Sequence, residues 1–280
     1  MKVMLILNAA EFELGIAKIL LSIYEFVLGK NALDKDTFMC RLNALENQMF
    51  IRLELTIAAV LSLMRYLTVC HSTEKSFKFW LVITILACAP TSFVYIYPAI
   101  LNDATPSSSR IACYPYMNPG DLSKIASCIL PFLILIPCWV ITFCYFSIGY
   151  KVNKKLNQMK KDSKNINDVQ GLAAIKRQKI KIIVQLVTVI VIYNLNFSVS
   201  YITFILKFAI GYVRPPIIEA IAVSLTFITF TVNPILTITF QPELNQEFTS
   251  ILFFFKLKIK KFFSSISSRG ISFCRYCAGR

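Results

Sequence analysis

Met64-Arg65-Tyr66-Leu67-Thr68-Val69-Cys70-His71 closes the apolar run Ile57-Ala58-Ala59-Val60-Leu61-Ser62-Leu63. An arginine and an aromatic ring ending such a run stand where a hydrophobic helix meets the membrane surface, the level at which both side chains reach water. Taken alone, an arginine at a helix end is more often a snorkelling surface residue than a functional one. The composition around it supports the membrane. With 56% hydrophobic and 16% charged residues and a mean hydropathy of +0.62, the 280-residue chain is too apolar for an ordinary soluble domain. The 30 Lys and Arg against 15 Asp and Glu raise the question of nucleic acid or an anionic surface. Their placement, in the loops of one side, favours a lipid bilayer and no nucleic acid.

The nine cysteines do not form a disulfide-rich scaffold. Cys88, Cys128, Cys138 and Cys144 lie inside apolar runs, where a thiol behaves as a small hydrophobe. Paired Cys-x-x-Cys and His-x-x-x-His spacings are missing, so nothing points to a metal site. The first thirty residues carry Glu11 and Glu13 and no small-residue cleavage site, which reads as a mature helix rather than a signal peptide.

Interruptions by Pro, Gly, Asn and charge leave six stretches of spanning length, roughly 3–28, 38–66, 78–100, 122–150, 180–208 and 215–240. The expected fold is an all-α polytopic membrane protein. Residues 1–240 would form the bundle, 241–262 an amphipathic helix on the membrane surface, and 263–280 a disordered cytoplasmic tail. In the first span Glu11 and Glu13 allow two readings, an amphipathic interfacial helix or a spanning helix whose acids face the bundle interior. In the second, Asn47, Arg52 and Glu54 are too polar to face lipid and should line a polar interior. Pro90 and Pro98 should kink or end the third. After the fourth comes a basic segment, 151–181, holding ten basic residues and two acidic ones, which should keep that loop in the cytoplasm. Beyond 240, Phe248, Ile251, Leu252 and Phe255 recur at helical spacing, and Lys256, Lys258, Lys260 and Lys261 suit anionic lipid. Cys274 and Cys277 are candidates for lipidation, and equally for plain tail cysteines.

Several of these strings resemble the rhodopsin-like (class A) G-protein-coupled receptors. Arg65-Tyr66-Leu67-Thr68-Val69-Cys70-His71 looks like the Asp-Arg-Tyr region that ends the family's third helix. Cys40 lies 25 residues before Arg65, about 37 Å along a helix, which is the family's interval between its extracellular disulfide cysteine and that arginine. Ala10-Glu11 with Gly15 is similar to the second helix's Ala-Asp-x-x-x-Gly. Pro137 and Tyr145 resemble the fifth helix's proline and inward tyrosine, and Asn233-Pro234-Ile235-Leu236-Thr237 resembles Asn-Pro-x-x-Tyr leading into the short eighth helix.

The resemblance implies a seven-helix bundle of which this chain carries six helices, opening in the family's second. Two explanations are open, a truncated gene model or a genuine deletion, and an upstream apolar stretch of about 20 residues would decide for the first. It implies a disulfide between Cys40 and Cys113, the latter in an outer loop facing an oxidising compartment. It also implies signalling without catalysis: an extracellular ligand shifts the bundle, and Arg65, Tyr66, Tyr145, Asn233 and Pro234 carry activation to a heterotrimeric G protein in the cytoplasm of a cell-membrane receptor.

The departures from the family pattern are specific. Met64 replaces the acid beside the arginine, and Lys179 stands about where a partner acid for Arg65 would lie, so both usual restraints look missing. The family's Phe-x-x-Cys-Trp-x-Pro is here Tyr193-Asn194-Leu195-Asn196-Phe197-Ser198-Val199, with the proline and its bend gone. Asn47 and Phe197 would line the ligand pocket. Asn47 where amine receptors carry Asp argues against an amine, and Phe227 where opsins carry lysine argues against retinal. No cofactor is expected apart from an ion at Glu11 and Glu54. Two such carboxylates call for a sodium ion, a shared proton, or neutralisation by Arg52 or Lys18; Glu54 turning to another helix is the alternative. The rival class is a small secondary transporter using Glu11, Arg52 and Glu54 as coupling charges, for which inverted repeats would be the evidence, and none is visible.

Overall fold

The computed structural model describes residues 2–29, 33–35, 37–101, 103–107, 109–115, 125, 128–165, 169–240, 249–250, 253–254 and 258. Within its helices some side chains also lie outside the description, those of Glu11, Lys18, Asn47, Asn233 and Pro234 among them. Most of 241–262 and all of 263–280, with Cys274 and Cys277, fall outside the described residues. The chain divides into two compact units, Met1–Thr231 and Val232–Arg280.

In chain order the helices are α1 (Lys2–Leu28), α2 (Phe38–His71), α3 (Phe77–Ile100), α4 (Phe132–Asn165), α5 (Val169–Ile190), α6 (Asn196–Ile210) and α7 (Pro216–Phe240). A single π-turn, Val191–Leu195, joins α5 to α6 as one rod. Between α3 and α4 lies a two-stranded antiparallel hairpin, β1 (Ala104–Pro106) and β2 (Cys113–Pro115), in which Thr105 faces Tyr114. Among the described residues four helices are long and apolar enough to cross a membrane: Phe38–His71, Phe77–Ile100, Phe132–Ser163 and Gln170–Thr203. Pro216–Thr229 is a shorter apolar helix. Ile85, Leu86, Phe93, Trp139, Phe143 and Phe146 stand exposed on helix surfaces, a distribution that suits lipid and not water.

Helix α2 is the central element, packed against α1, α3, α4 and both strands of the hairpin. Thr37 caps its start by accepting the Cys40 N–H at 3.2 Å, and Ser72 ends it in the left-handed region. Of the polar residues expected to face inward, Arg52 and Glu54 are buried, and Asn43, Gln48, Thr56 and Ser62 are buried with them, alongside apolar residues such as Ile51, Leu55 and Leu61. A spanning helix so placed satisfies its polar atoms within the bundle.

The fourth span, expected from 122, is helical at Ile125, Cys128 and Ile129, turns at Leu130 and Pro131, and runs on as α4 from Phe132; Pro131 lacks an N–H and biases Leu130 away from the helical region. One sequence expectation is corrected. The basic segment 151–181 is not a loop over most of its length, because α4 continues to Asn165 and α5 begins at Val169. Lys, Gln, Met and Leu are good helix formers, and nothing from Lys151 to Asn165 breaks the pattern. Helix α3 runs through Pro90 and ends two residues past Pro98, at Ile100, where the span was expected to end.

At Gly149 of α4, Leu186 of α5 occupies the space a side chain would take. A Cβ built there would lie 1.9 Å from Leu186 Cδ1 and 3.2 Å from its Cγ, so even alanine requires Leu186 to change rotamer. Gly149→Leu should destabilise the fold by about 1–3 kcal/mol, the usual cost of overpacking, and Leu186→Ala should restore part of it. Thermal unfolding of the single and double variants in lipid nanodiscs measures this.

Candidate functional site

The C-terminal end of α2 is tied to α4 by its own polar and aromatic residues. Arg65 Nη1 donates to the Tyr145 hydroxyl at 2.5 Å across 80 residues of sequence. One residue on, the Tyr66 ring packs at 5.6 Å against Phe143 and at 5.2 Å, edge-on, against His71, whose Nε2 lies 3.1 Å from the Tyr66 hydroxyl. The Lys151 ammonium donates to the Cys70 carbonyl. These contacts bring together Arg65, Tyr66 and Tyr145. Lys179 donates to Asn157 Oδ1 at 3.3 Å, which joins α5 to α4. Asn233 and Pro234 sit within α7, whose helix continues through them to Phe240, while their side chains lie outside the described residues.

Where the family's proline is missing, the rod α5–α6 carries the π-turn Val191–Leu195. In a π-turn the hydrogen-bond ladder skips a residue, leaving carbonyls to other donors. Here the Asn194 amide donates to the Ile190 carbonyl at 3.0 Å and to Thr142 Oγ1 of α4 at 2.7 Å, and the Cys138 thiol donates to the Tyr193 carbonyl at 3.3 Å. The π-turn therefore stands on the Asn194 side chain and two partners of α4, with Tyr193 and Phe197 buried on one side of the rod.

At the N-terminal end of α2, Cys40 and Cys113 form a disulfide with Cα atoms 5.4 Å apart. The Cys113 N–H donates to Asn43 Oδ1 at 2.9 Å, so β2 is held to α2 twice. Both cysteines are fully buried in a small core with Leu33, Ala44 and Ala104. Asn43 escaped the sequence reading, although it lies three residues after Cys40, on the same face of α2.

Beneath the hairpin is a cavity of about 40 Å³, lined in part by Gln48, Arg52, Tyr114, Phe197, Arg214 and Phe227. Phe197 was expected there; the Asn47 side chain lies outside the described residues. Arg52 Nη1 donates to the Gln48 carbonyl and to Gln48 Oε1, each at 2.8 Å, and the guanidinium stands 4.9 Å over the Tyr95 ring. Arg214 donates to Thr203 Oγ1 and to the Ser200 carbonyl. Glu219, buried at the start of α7, accepts the Ser109 N–H of the hairpin at 3.0 Å and is hydrogen-bonded to Tyr114. The sequence reading singled out neither Arg214 nor Glu219, because a single charge beside a helix end carries no periodic signal. The Glu11 side chain is outside the described residues and Glu54 is buried in α2. Glu13 and Glu46 are within electrostatic reach of each other.

Burial, and next the Glu219 carboxylate, push the Tyr114 phenol up to about 12. Its ordinary value is about 10, so the neutral phenol is the form the fold favours. The resulting stability is complete below about pH 10 and lost as pH rises through about 12. Tyr114→Phe should flatten that segment of a melting-temperature profile against pH; a profile unchanged from wild type would refute the assignment.

The chain matches the family described as 7 transmembrane receptor (rhodopsin family) over residues 3–236. Among solved structures it is similar to squid rhodopsin, with a TM-score of 0.55 and 18% sequence identity, covering 77% of this chain and 66% of that one. At that identity the likeness speaks for the fold. The chain thus spans just under two thirds of the length of that structure, 66%. No curated protein matches it in sequence.

Proposed function

The chain belongs to the rhodopsin family of seven-transmembrane receptors, and from that premise we propose that it passes an extracellular ligand signal to a heterotrimeric G protein. It is a multi-pass membrane protein of a receptor family. The observation that carries the proposal is the Arg65–Tyr145 hydrogen bond at the inner end, where the resemblance places the partner-facing arginine and the tyrosine that steadies the open bundle. Two features favour a weakly held resting state. Met64 offers Arg65 no carboxylate, and Lys179 is engaged with Asn157. The helical extensions of α4 and α5, rich in Lys and Arg, would face the cytoplasm and the acidic side of the partner. In this reading Asn233 and Pro234 form the hinge of α7, and Glu11 with Glu54 remains the proposed ion site.

Recruitment of a minimal Gα subunit to membranes of cells expressing the chain tests the proposal. Wild type should recruit above the empty-membrane level even without added ligand, and Arg65→Ala should lower that level by roughly tenfold or more, the usual consequence of losing a charged hot-spot contact. Equal recruitment by wild type and Arg65→Ala would count against it.

A further inference from the structure

A buried guanidinium is costly unless an anion or full hydrogen bonding answers it, and one within a spanning helix marks a functional position by default. Arg52 is such a group. It is 4% exposed, and about 18 Å along α2 from Cys40 at ~1.5 Å per residue. Of its five N–H donors, those on Nη1 go to Gln48, while Nε is buried and has no hydrogen-bond partner among the described residues. No carboxylate pairs with it among those residues. Its other close neighbour is the face of the Tyr95 ring, which attracts the cation but accepts no fork of hydrogen bonds.

We infer that the cavity beneath the hairpin takes a small organic carboxylate, drawn to the Arg52 guanidinium that lines it. The charges around the cavity agree. Arg52 and Arg214 both line it, whereas Glu219 is outside the lining and engaged by Ser109 and Tyr114. An ammonium head group there would meet two guanidiniums. A carboxylate meets a planar donor edge of matching geometry. The remaining walls include Ile51, Ile134, Phe197, Ala222 and Phe227, which suit a short aliphatic or aromatic body. With a volume of about 40 Å³ the cavity holds a head group and not a whole drug-sized ligand, so the body of a longer acid would have to widen it.

This inference deepens the receptor reading by naming the ligand class of its outer cavity, and its test does not depend on signalling. The full chain in lipid nanodiscs is melted with increasing sodium acetate, butyrate, benzoate or 3-phenylpropionate, at constant ionic strength. The matching primary amides and amines serve as controls. A saturable rise in melting temperature with the carboxylates alone is expected, with apparent affinity falling on the order of 10- to 100-fold in Arg52→Gln. Arg52→Lys keeps the charge but not the fork, and a loss of about tenfold is expected there. It supplies the reading should Arg52→Gln fail to fold. The site assignment is overturned by equal shifts from amides or amines, by no shift from any carboxylate, or by unchanged affinity in the folded variants. A carboxylate that binds without altering G-protein recruitment overturns the receptor reading and leaves the site standing; an activating amine does the reverse.

Discussion

Cys40→Ser is expected to destabilise the chain by about 4 kcal/mol, the loop-closure value for a bridge across 73 residues. The bridge joins the capped first turn of α2 to β2, and between them lies the whole of the chain from Arg41 to Ala112. Without it the unfolded chain gains that loop's freedom. The hairpin then depends on the Asn43 to Cys113 hydrogen bond and on contacts such as Ser109 to Glu219. The exposed Arg110 and Asp34 pair, at 3.9 Å, adds little in water. Cys113→Ser should cost the same, and the double variant no more than either single one, because both remove one bridge. Melting curves of the three variants in nanodiscs, with wild type under reducing agent as the fourth, check the pattern. A double variant losing twice as much would mean that each cysteine acts through its packing and not through the bond.

The sequence made α2 readable because its two ends are marked. Cys40 and Arg65 fix its register, and the inward Asn43, Gln48, Arg52 and Glu54 lie where polar residues in a spanning helix must lie. Arg65 and Tyr145 were singled out by the family resemblance, but their contact across 80 residues was not legible in the sequence. Other features left no such mark. The π-turn at Val191–Leu195 depends on Asn194 reaching Thr142 and on Cys138 reaching the Tyr193 carbonyl, partners more than fifty residues away. The continuation of α4 to Asn165 was hidden by charge, since a run of lysines reads as loop from hydropathy while its helix propensity is high. The Glu219 to Ser109 contact spans 110 residues and needs the hairpin's placement before it can be seen.

The second large effect is expected at the inner end. Arg65 and Tyr145 join α2 to α4, and the account gives them one shared task, to hold the partner-competent arrangement. Their effects should then be coupled. Arg65→Ala and Tyr145→Phe each remove the same hydrogen bond, so the double variant should lose clearly less than the sum of the singles, a coupling of roughly 0.5–3 kcal/mol. Arg65→Ala should be the more severe, because it also removes the charge that the resemblance assigns to the partner.

Guanine-nucleotide exchange on purified heterotrimers, catalysed by the chain in nanodiscs, tests the central claim most directly. The account predicts exchange at least about tenfold faster than with empty nanodiscs for one heterotrimer class, reduced to the empty-nanodisc rate by Arg65→Ala and reduced in part by Tyr145→Phe. Exchange by the folded wild-type chain no faster than with empty nanodiscs for every heterotrimer class, or a rate indifferent to Arg65→Ala, would contradict it.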